Sequence, residues 1–226
     1  MATMTAAKSD TQIKTDVLNE LKWDTRVDET EVGVQVKGGV VTLTGHVPSY
    51  GKKIAAVEAA HRVHGVLDVV NELDVRLPMS WRKTDQDVAQ AVRHALQWDV
   101  LVPDEHISTT VSNGVVTLKG DVETWTQRAD AESAIRRLGG VKGVTNLISV
   151  KPRSADPAAI KRQIEQALER QAEREAGRIG VSVVDGVVTL TGKVRSWSER
   201  RAVEGAASFG NGVRRVDDHT TVDPYG

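Results

Sequence analysis

The same pattern of apolar and polar positions occurs three times along the chain. Each copy centres on a glycine-bounded heptamer, Gly39–Gly45, Gly114–Gly120 or Gly186–Gly192, in which the letters Val-Val-Thr-Leu are identical. A leucine precedes each heptamer and a Gly-Val pair follows it, at the same distances in all three copies. Recurrence of this kind predicts three tandem repeats of one structural unit.

Apolar residues at helical spacing open each repeat, which predicts a first helix. Each of these helices is preceded by a side chain suited to cap its first turn: Ser9, Thr84 and Asp156. In the first repeat, Gln12 completes the spacing of a capping box. In the third, Pro157 takes the first helical position, where its missing N–H costs nothing.

Alternating apolar residues on both sides of a turn-forming pair then predict a β-hairpin. The pairs are Gly38-Gly39, Asn113-Gly114 and Asp185-Gly186. All three favour two-residue type I′ turns, whose central residues both need positive φ. In the first repeat, the alternation predicts that one apolar set faces inward: Val34, Val36, Val41 and Leu43.

An alanine-rich second helix and a final strand complete each repeat. The helices are predicted over Lys52–Val63, Gln127–Leu138 and Ser198–Ser208. The final strands are predicted over Val69–Leu77, Val144–Lys151 and Arg215–Val222. Between helix and strand, Gly65, Gly140 and Gly212 suit a left-handed helix end.

The order α-β-β-α-β predicts the α+β class, with three tandem αββαβ units. Each unit should be a three-stranded sheet with two helices on one face. The predicted bounds of the units are 8–77, 84–151 and 155–223. A unit of about 70 residues is marginally stable alone, and the connections at 78–83 and 152–155 are short. We therefore expect the repeats to pack on one another.

The heptamer, the alanine-rich helix and a Gly-Val-x-x-Val-x-Asn segment together resemble the BON domain, a family named for bacterial osmotically inducible and nodulation proteins. Residues 65–71 and 140–146 carry the last segment. The third repeat departs from the pattern, because Asp217-Asp218 stands at this position. Its first helix is also expected to run on through Ala176. The third repeat is therefore the divergent copy.

The resemblance implies a non-catalytic protein of the bacterial osmotic or stress response. It implies binding to a phospholipid membrane surface or to a protein partner. The alternative is a cytoplasmic ligand- or cation-sensing module, with a monovalent cation as the possible ligand. Many BON proteins carry a secretion signal or a lipid anchor, and this sequence shows neither, so the expected location is cytoplasmic.

Charge and cysteine content narrow these possibilities. The chain has 30 Lys and Arg against 31 Asp and Glu, and no third of it is strongly basic, so a nucleic-acid partner is not expected. The absence of cysteine excludes disulfides and thiolate metal sites. No apolar run is long enough to span a bilayer.

The polar residues suggest no catalytic, metal or cofactor site. His61 and His64 lie one helical turn apart with only Asp68 within reach, and we interpret them as polar side chains at a helix C-terminus that suit its dipole. The glycines of the heptamers lack the Lys-Ser/Thr of a phosphate-binding loop. Neither an enzyme nor a bound cofactor is predicted.

The aromatic residues are the remaining candidates for function, since five of the few present are tryptophan. Trp23 and Trp98 share a position predicted just past the first helix. Another shared position carries Tyr50, Trp125 and Trp197. The favoured interpretation is that each ring covers the rim of a small core. The alternative is a membrane- or partner-binding site made of these residues: Tyr50, Trp125, Trp197, Arg128, Arg200 and Arg201.

Overall fold

Residues 7–152, 156–171 and 179–225 are described by the computed structural model. The first repeat contains α1 (Asp10–Trp23), β1 (Val32–Lys37), β2 (Val40–Val47), α2 (Tyr50–Arg62) and β3 (Asp68–Val75). The second contains α3 (Asp85–Trp98), β4 (Ile107–Ser112), β5 (Val115–Val122), α4 (Trp125–Ile135) and β6 (Gly143–Val150). The third contains α5 (Pro157–Gln171), β7 (Ile179–Val184), β8 (Val187–Val194), α6 (Trp197–Ser208) and β9 (Arg215–Val222).

The predicted α+β class and the αββαβ order are therefore confirmed. The predicted extension of α5 through Ala176 and the predicted start of the third unit at residue 155 both lie outside the described residues. The predicted bounds of the three units stay predictions.

Each sheet has three strands in sequence order. In the first repeat, β1 pairs antiparallel with β2, and β2 pairs in parallel with β3. The second repeat has the same two pairings. A parallel pair needs a crossover connection, and α2 and α4 supply it in these two repeats.

Helix residues and inward strand residues form the core of each repeat. In the first, Ile13, Val17 and Leu21 of α1 are buried with Val41 and Leu43. Four alanines of α2 are also fully buried: Ala55, Ala56, Ala59 and Ala60. Their small side chains let the helix backbone approach the sheet closely. The second and third repeats bury the matching positions, among them Val92, Leu118, Ile164 and Leu190.

The three hairpin turns have the predicted geometry. Both central residues have positive φ in each turn: 57° and 78° at Gly38 and Gly39, 53° and 78° at Asn113 and Gly114, and 48° and 76° at Asp185 and Gly186. The second position also needs glycine because the backbone approaches closely. A Cβ at Gly114 would lie 2.9 Å from the carbonyl oxygen of Gly140.

A carboxylate at the first residue of the first helix holds the hairpin turn, a contact that the sequence did not predict. Asp10 accepts hydrogen bonds from the N–H groups of Gly38 and Gly39, at 2.8 and 2.9 Å. The Gly39 bond and then the Gly38 bond lower the pKa of Asp10. Asp85 accepts two bonds of 2.8 Å from the turn of the second repeat. The third repeat has Pro157 at this position and so lacks the carboxylate.

Charged side chains join α1 to α2 in the first repeat. Asp24 pairs with Arg26 at 2.7 Å and with Arg62 at 2.8 Å. Arg62 also pairs with Glu20 at 2.6 Å, and Arg26 with Glu58 at 3.1 Å. Hydrogen bonds from Arg26 and Arg62 hold the pKa of Asp24 well below its usual range. This network fixes the turn that follows α1.

The chain divides into two compact units that cross the repeat boundaries. The N-terminal unit combines Met1–Arg76 with Lys193–Arg201 and Thr220–Gly226. The second unit combines Leu77–Gly192 with Ala202–His219. Within the N-terminal unit, Trp197 packs against the core of the first repeat. The expected packing of repeats on one another is therefore seen between parts of the first and third.

We predict that Asp85→Ala lowers the Tm of the full chain by a few degrees, because two backbone N–H groups lose a charged acceptor. Asp85→Asn, which keeps one oxygen, should give a smaller loss. Thermal unfolding followed by circular dichroism measures both changes.

The matched control for this prediction is Asp121→Ala, which removes a surface carboxylate paired with Lys151. Exposed pairs contribute little to stability, so this variant should unfold close to wild type. An Asp85→Ala variant as stable as Asp121→Ala would contradict the assigned role of Asp85.

Candidate functional site

Trp125 is the first residue of α4, and its ring is half-buried. Thr124 caps the helix in a capping box with Gln127, so the helix begins two residues before the predicted start. The guanidinium carbon of Arg128 lies 4.7 Å from the centre of the Trp125 ring. Arg128 also donates hydrogen bonds to the carbonyls of Ile148 and Asn146, at 3.1 and 3.0 Å. Arg128 therefore ties α4 to β6.

Trp197 is the first residue of α6, and it lies in the N-terminal unit. Its ring stacks on that of His61 of α2, with 4.1 Å between centroids and 18° between planes. The guanidinium carbon of Arg200 lies 4.8 Å from the centre of the same indole ring. Trp197 therefore joins the third repeat to the first, as an aromatic ring between two flat polar groups.

His61 is uncharged at neutral pH. Burial and, next, the nearby charge of Arg201 lower its pKa to about 4, against the opposing effect of Asp68. The interpretation of His61 as a polar side chain that suits the helix dipole did not include this packing of its ring on Trp197. His64 is exposed, and its ring meets that of Tyr225 edge-on at 5.5 Å.

The six residues predicted as a binding site do not form one surface within a single unit. Tyr50, Trp197 and the arginines at 200 and 201 belong to the N-terminal unit, whereas Trp125 and Arg128 belong to the second. The three aromatic residues do share one structural role, since each is the first residue of its helix. Their role in binding a membrane or a partner stays a prediction.

Among the described residues, the two most exposed large apolar side chains, Val100 and Trp98, lie where α3 ends, and Leu101 beside them is also exposed. The exposed fractions are 86% for Trp98, 95% for Val100 and 63% for Leu101. We call these three residues the apolar tip. The carboxylate of Asp99 accepts a hydrogen bond from the N–H of Leu101 at 3.0 Å, and Val102 behind it is buried. The turn is therefore held by the protein while its apolar side chains face solvent.

The first repeat has the same backbone turn with a different surface. Trp23 ends α1 and is 83% exposed, but Thr25 and Arg26 follow where the second repeat has Val100 and Leu101. The expectation that Trp23 and Trp98 cover the rim of a core is wrong. Each ring lies two positions after the last buried residue of its helix, Leu21 or Leu96, and so falls outside the buried stripe. The structure also places both residues at the last position of their helices, and not just past the helix end as the sequence predicted.

The apolar tip could have been found in the sequence. Four of the five residues from Trp98 to Val102 are apolar and Pro103 follows at once, whereas the same stretch of the first repeat contains Thr25 and Arg26. When two repeats share a backbone turn but differ in its side chains, the fold does not require those side chains, and they can serve another purpose. Two more exposed apolar residues, Met79 and Trp81, lie in the 3₁₀ helix that follows the first repeat.

Neither a metal centre nor a membrane span is found in the described part of the chain. Among residues 7–152, 156–171 and 179–225, no three His, Asp or Glu side chains come together as metal ligands. No described helix is long and apolar enough to cross a bilayer.

The family model for the BON domain matches residues 9–76, 84–152 and 156–224. These three matches cover most of the chain. The chain belongs to the BON domain family. The recognition of three tandem BON copies in the sequence is thereby confirmed, including the divergent third.

Among curated proteins, the chain is similar to osmotically-inducible protein Y of Escherichia coli (strain K12), with 32% identity over 129 residues. The match covers 55% of this chain and 64% of that relative, so it spans less than two thirds of the relative's length.

Two solved structures of CdsD, a structural protein of the type III secretion system of Chlamydia trachomatis, are also similar. The first is its C-terminal domain, at 16% identity and a TM-score of 0.27, with 96% of this chain and 100% of that chain covered. The second has 17% identity and a TM-score of 0.24, with 94% and 92% covered.

We predict that Trp98→Ala and Trp23→Ala each change the free energy of unfolding by no more than about 0.5 kcal/mol, because exposed rings contribute little. Trp197→Ala should cost about 1–3 kcal/mol, since its ring packs on a core. Urea unfolding of the three variants gives the comparison. Equal losses in all three would mean that the exposed rings are buried in solution.

Proposed function

We propose that this BON protein acts in the bacterial osmotic stress response by binding a phospholipid membrane surface through the apolar tip. The osmotic role is supported by the similarity to osmotically-inducible protein Y. The observation that carries the membrane part is the exposure of Trp98, Val100 and Leu101 on one turn. No catalytic step is part of this function.

The chemistry of the tip suits a membrane interface. A tryptophan ring is amphipathic and prefers the level of the lipid headgroups, while Val100 and Leu101 can enter the acyl boundary below it. Full burial of a Val or Leu side chain contributes about 1.5–3 kcal/mol. Two such side chains and one indole ring can support weak, reversible attachment.

The structure of the turn lowers the cost of binding. Asp99 already holds the backbone of Leu101, and Val102 anchors the turn in the protein. Little ordering is therefore needed when the tip meets a surface. Exposed Arg93 and His94 lie on α3 just before the tip, where they can face lipid phosphates.

A membrane fits this surface better than a protein partner does. Specific protein interfaces bury roughly 1,200–2,000 Å² in total, which is far more than three side chains on one projecting turn provide. A bilayer needs no complementary shape, so a small apolar projection is sufficient. The first repeat lacks this projection, because Arg26 there is paired with Asp24 and Glu58.

The decisive experiment is flotation with vesicles of phosphatidylglycerol and phosphatidylethanolamine. We expect the wild-type chain to float with the vesicles and its tryptophan emission to shift to the blue. A double variant, Val100→Thr with Leu101→Arg, gives the second repeat the residues of the first and should weaken binding at least about tenfold. Trp98→Ala should weaken it comparably.

Trp23→Ala is the matched control, since it removes an equally exposed ring that has no apolar neighbours at the turn. It should bind nearly as well as wild type. Unchanged flotation of the double variant and of Trp98→Ala would reject the tip as the binding surface. Retention of a protein from the native bacterium by wild type but not by the double variant, without flotation, would favour the protein partner instead.

The salt dependence of binding distinguishes the apolar tip from the binding site that the sequence predicted. Binding through Trp197 with Arg200 and Arg201 would weaken as salt screens their charge, with a Debye length of about 10 Å at 0.1 M. Binding through the apolar tip should persist as salt rises, because apolar burial is not screened. The osmotic role is tested by growth at high osmolarity of a bacterium that carries only the double variant.

A further inference from the structure

Two histidines of the first repeat, three residues apart, both contact aromatic rings from the C-terminal part of the chain. His61 stacks on Trp197, and His64 meets Tyr225 edge-on. The hydroxyl of Tyr225 also accepts a hydrogen bond from the backbone N–H of Lys8 at 2.7 Å. All of these residues belong to the N-terminal unit. The end of α2 is therefore the place where the first repeat holds the start of α6 and the segment that follows β9.

We propose that the His61–Trp197 stack is a clasp, which holds the start of α6 on the first repeat while His61 is neutral and opens when His61 is protonated. The clasp is a property of the N-terminal unit, and it does not depend on membrane binding by the apolar tip.

The stack is suited to a neutral imidazole. The rings lie 4.1 Å apart and nearly parallel, and both the Nε2 atom of His61 and the Nε1 atom of Trp197 are buried without a hydrogen-bond partner among the described residues. An imidazolium needs both of its N–H groups to be solvated or paired. Protonation would therefore leave a buried charged donor with no acceptor.

The charges around the ring oppose protonation. On α6, Arg200 and Arg201 face His61, and both act to lower its affinity for a proton. At the start of β3, Asp68 is the one carboxylate that acts in the opposite direction. On α2 itself, neighbouring Arg62 is engaged with Glu20 and Asp24. A proton on His61 would thus create a third cation beside two arginines.

The direction of the pH effect follows from the pKa of His61, which is lowered from 6.5 to about 4. The closed clasp has its full stability above pH 6.5, where His61 is neutral whether the clasp is closed or open. This stability is lost as the pH falls from 6.5 through about 4, because the open state then binds a proton that the closed state rejects. Opening uncovers Trp197 beside Arg200 and Arg201, an aromatic ring with two cations.

Tryptophan fluorescence provides the first test. A full-length variant that keeps Trp197 as its single tryptophan carries phenylalanine at the other four positions: Trp23, Trp81, Trp98 and Trp125. Between pH 7.5 and 4 we expect its emission to shift to the red and its quenching by acrylamide to increase. Adding His61→Phe, which keeps a stacked ring but cannot titrate, should abolish this pH dependence and leave the emission blue.

Three controls separate opening from other effects of acid. His64→Phe should leave the transition in place, and His61→Lys should give the open emission already at pH 7.5. The far-UV circular dichroism should stay constant over the same range, since the repeats remain folded. A transition that survives His61→Phe, or a loss of helical signal at the same pH, would overturn the clasp.

A measurement on the wild-type chain keeps the proposal testable if the tryptophan variants do not fold. Nuclear magnetic resonance of ¹³C-labelled histidine follows each of the six imidazoles during a pH titration. We expect one histidine, identified by its absence in His61→Phe, to titrate well below pH 6.5. An ordinary titration near pH 6.5 for His61 would show that its ring is solvated and that no clasp exists.

Discussion

Each repeat depends on the close contact between its hairpin turn and the glycine turn that follows its second helix. The carbonyl oxygen of the second turn residue accepts a hydrogen bond from a backbone N–H just before the final strand. The N–H of Leu67 donates to Gly39 at 2.9 Å, and the N–H of Lys142 donates to Gly114 at 2.8 Å. A Cβ at Gly114 or at Gly186 would lie 2.9 Å from the carbonyl oxygen of the glycine that follows the second helix, Gly140 or Gly212. The glycines are required because the parallel strand can join the sheet only if the backbones meet at this point.

This contact also fixes where the other elements lie. Once the final strand lies beside the second, the second helix must cross the sheet. Its first residue then has the same position in every repeat, shortly after the end of the second strand. In all three repeats that residue is aromatic, at positions 50, 125 and 197. The aromatic side chain at this shared position has different contacts in different repeats. The ring of Trp125 packs against Arg128, whereas that of Trp197 packs against the core of the first repeat.

The repeats differ most where the shared backbone leaves side chains free to vary. After the first helix, the first repeat uses the turn for an ion-pair network centred on Asp24. The second repeat keeps an aspartate, Asp99, but replaces the arginine with Leu101. Burial and the charge of Asp99 raise the pKa of nearby Asp130. The negative charges at this turn are therefore less well neutralised than that of Asp24, which is paired with two arginines. A turn that exposes apolar side chains in place of an ion pair does not stabilise the fold, and it offers an apolar surface for binding.

The sequence by itself determined the repeats, the order of their elements, their helix caps and their hairpin turns. These features depend on local interactions, such as a capping box over three residues or two adjacent positive φ values, and local interactions can be recognised within a short stretch. Only the tertiary structure decided which aromatic rings are exposed. Trp23 and Trp98 look no different in sequence from Trp197, but what covers a ring depends on residues far along the chain. The same reason explains why the bonds from Asp10 and Asp85 to their hairpin turns, and the contact of His61 with Trp197, could not be predicted.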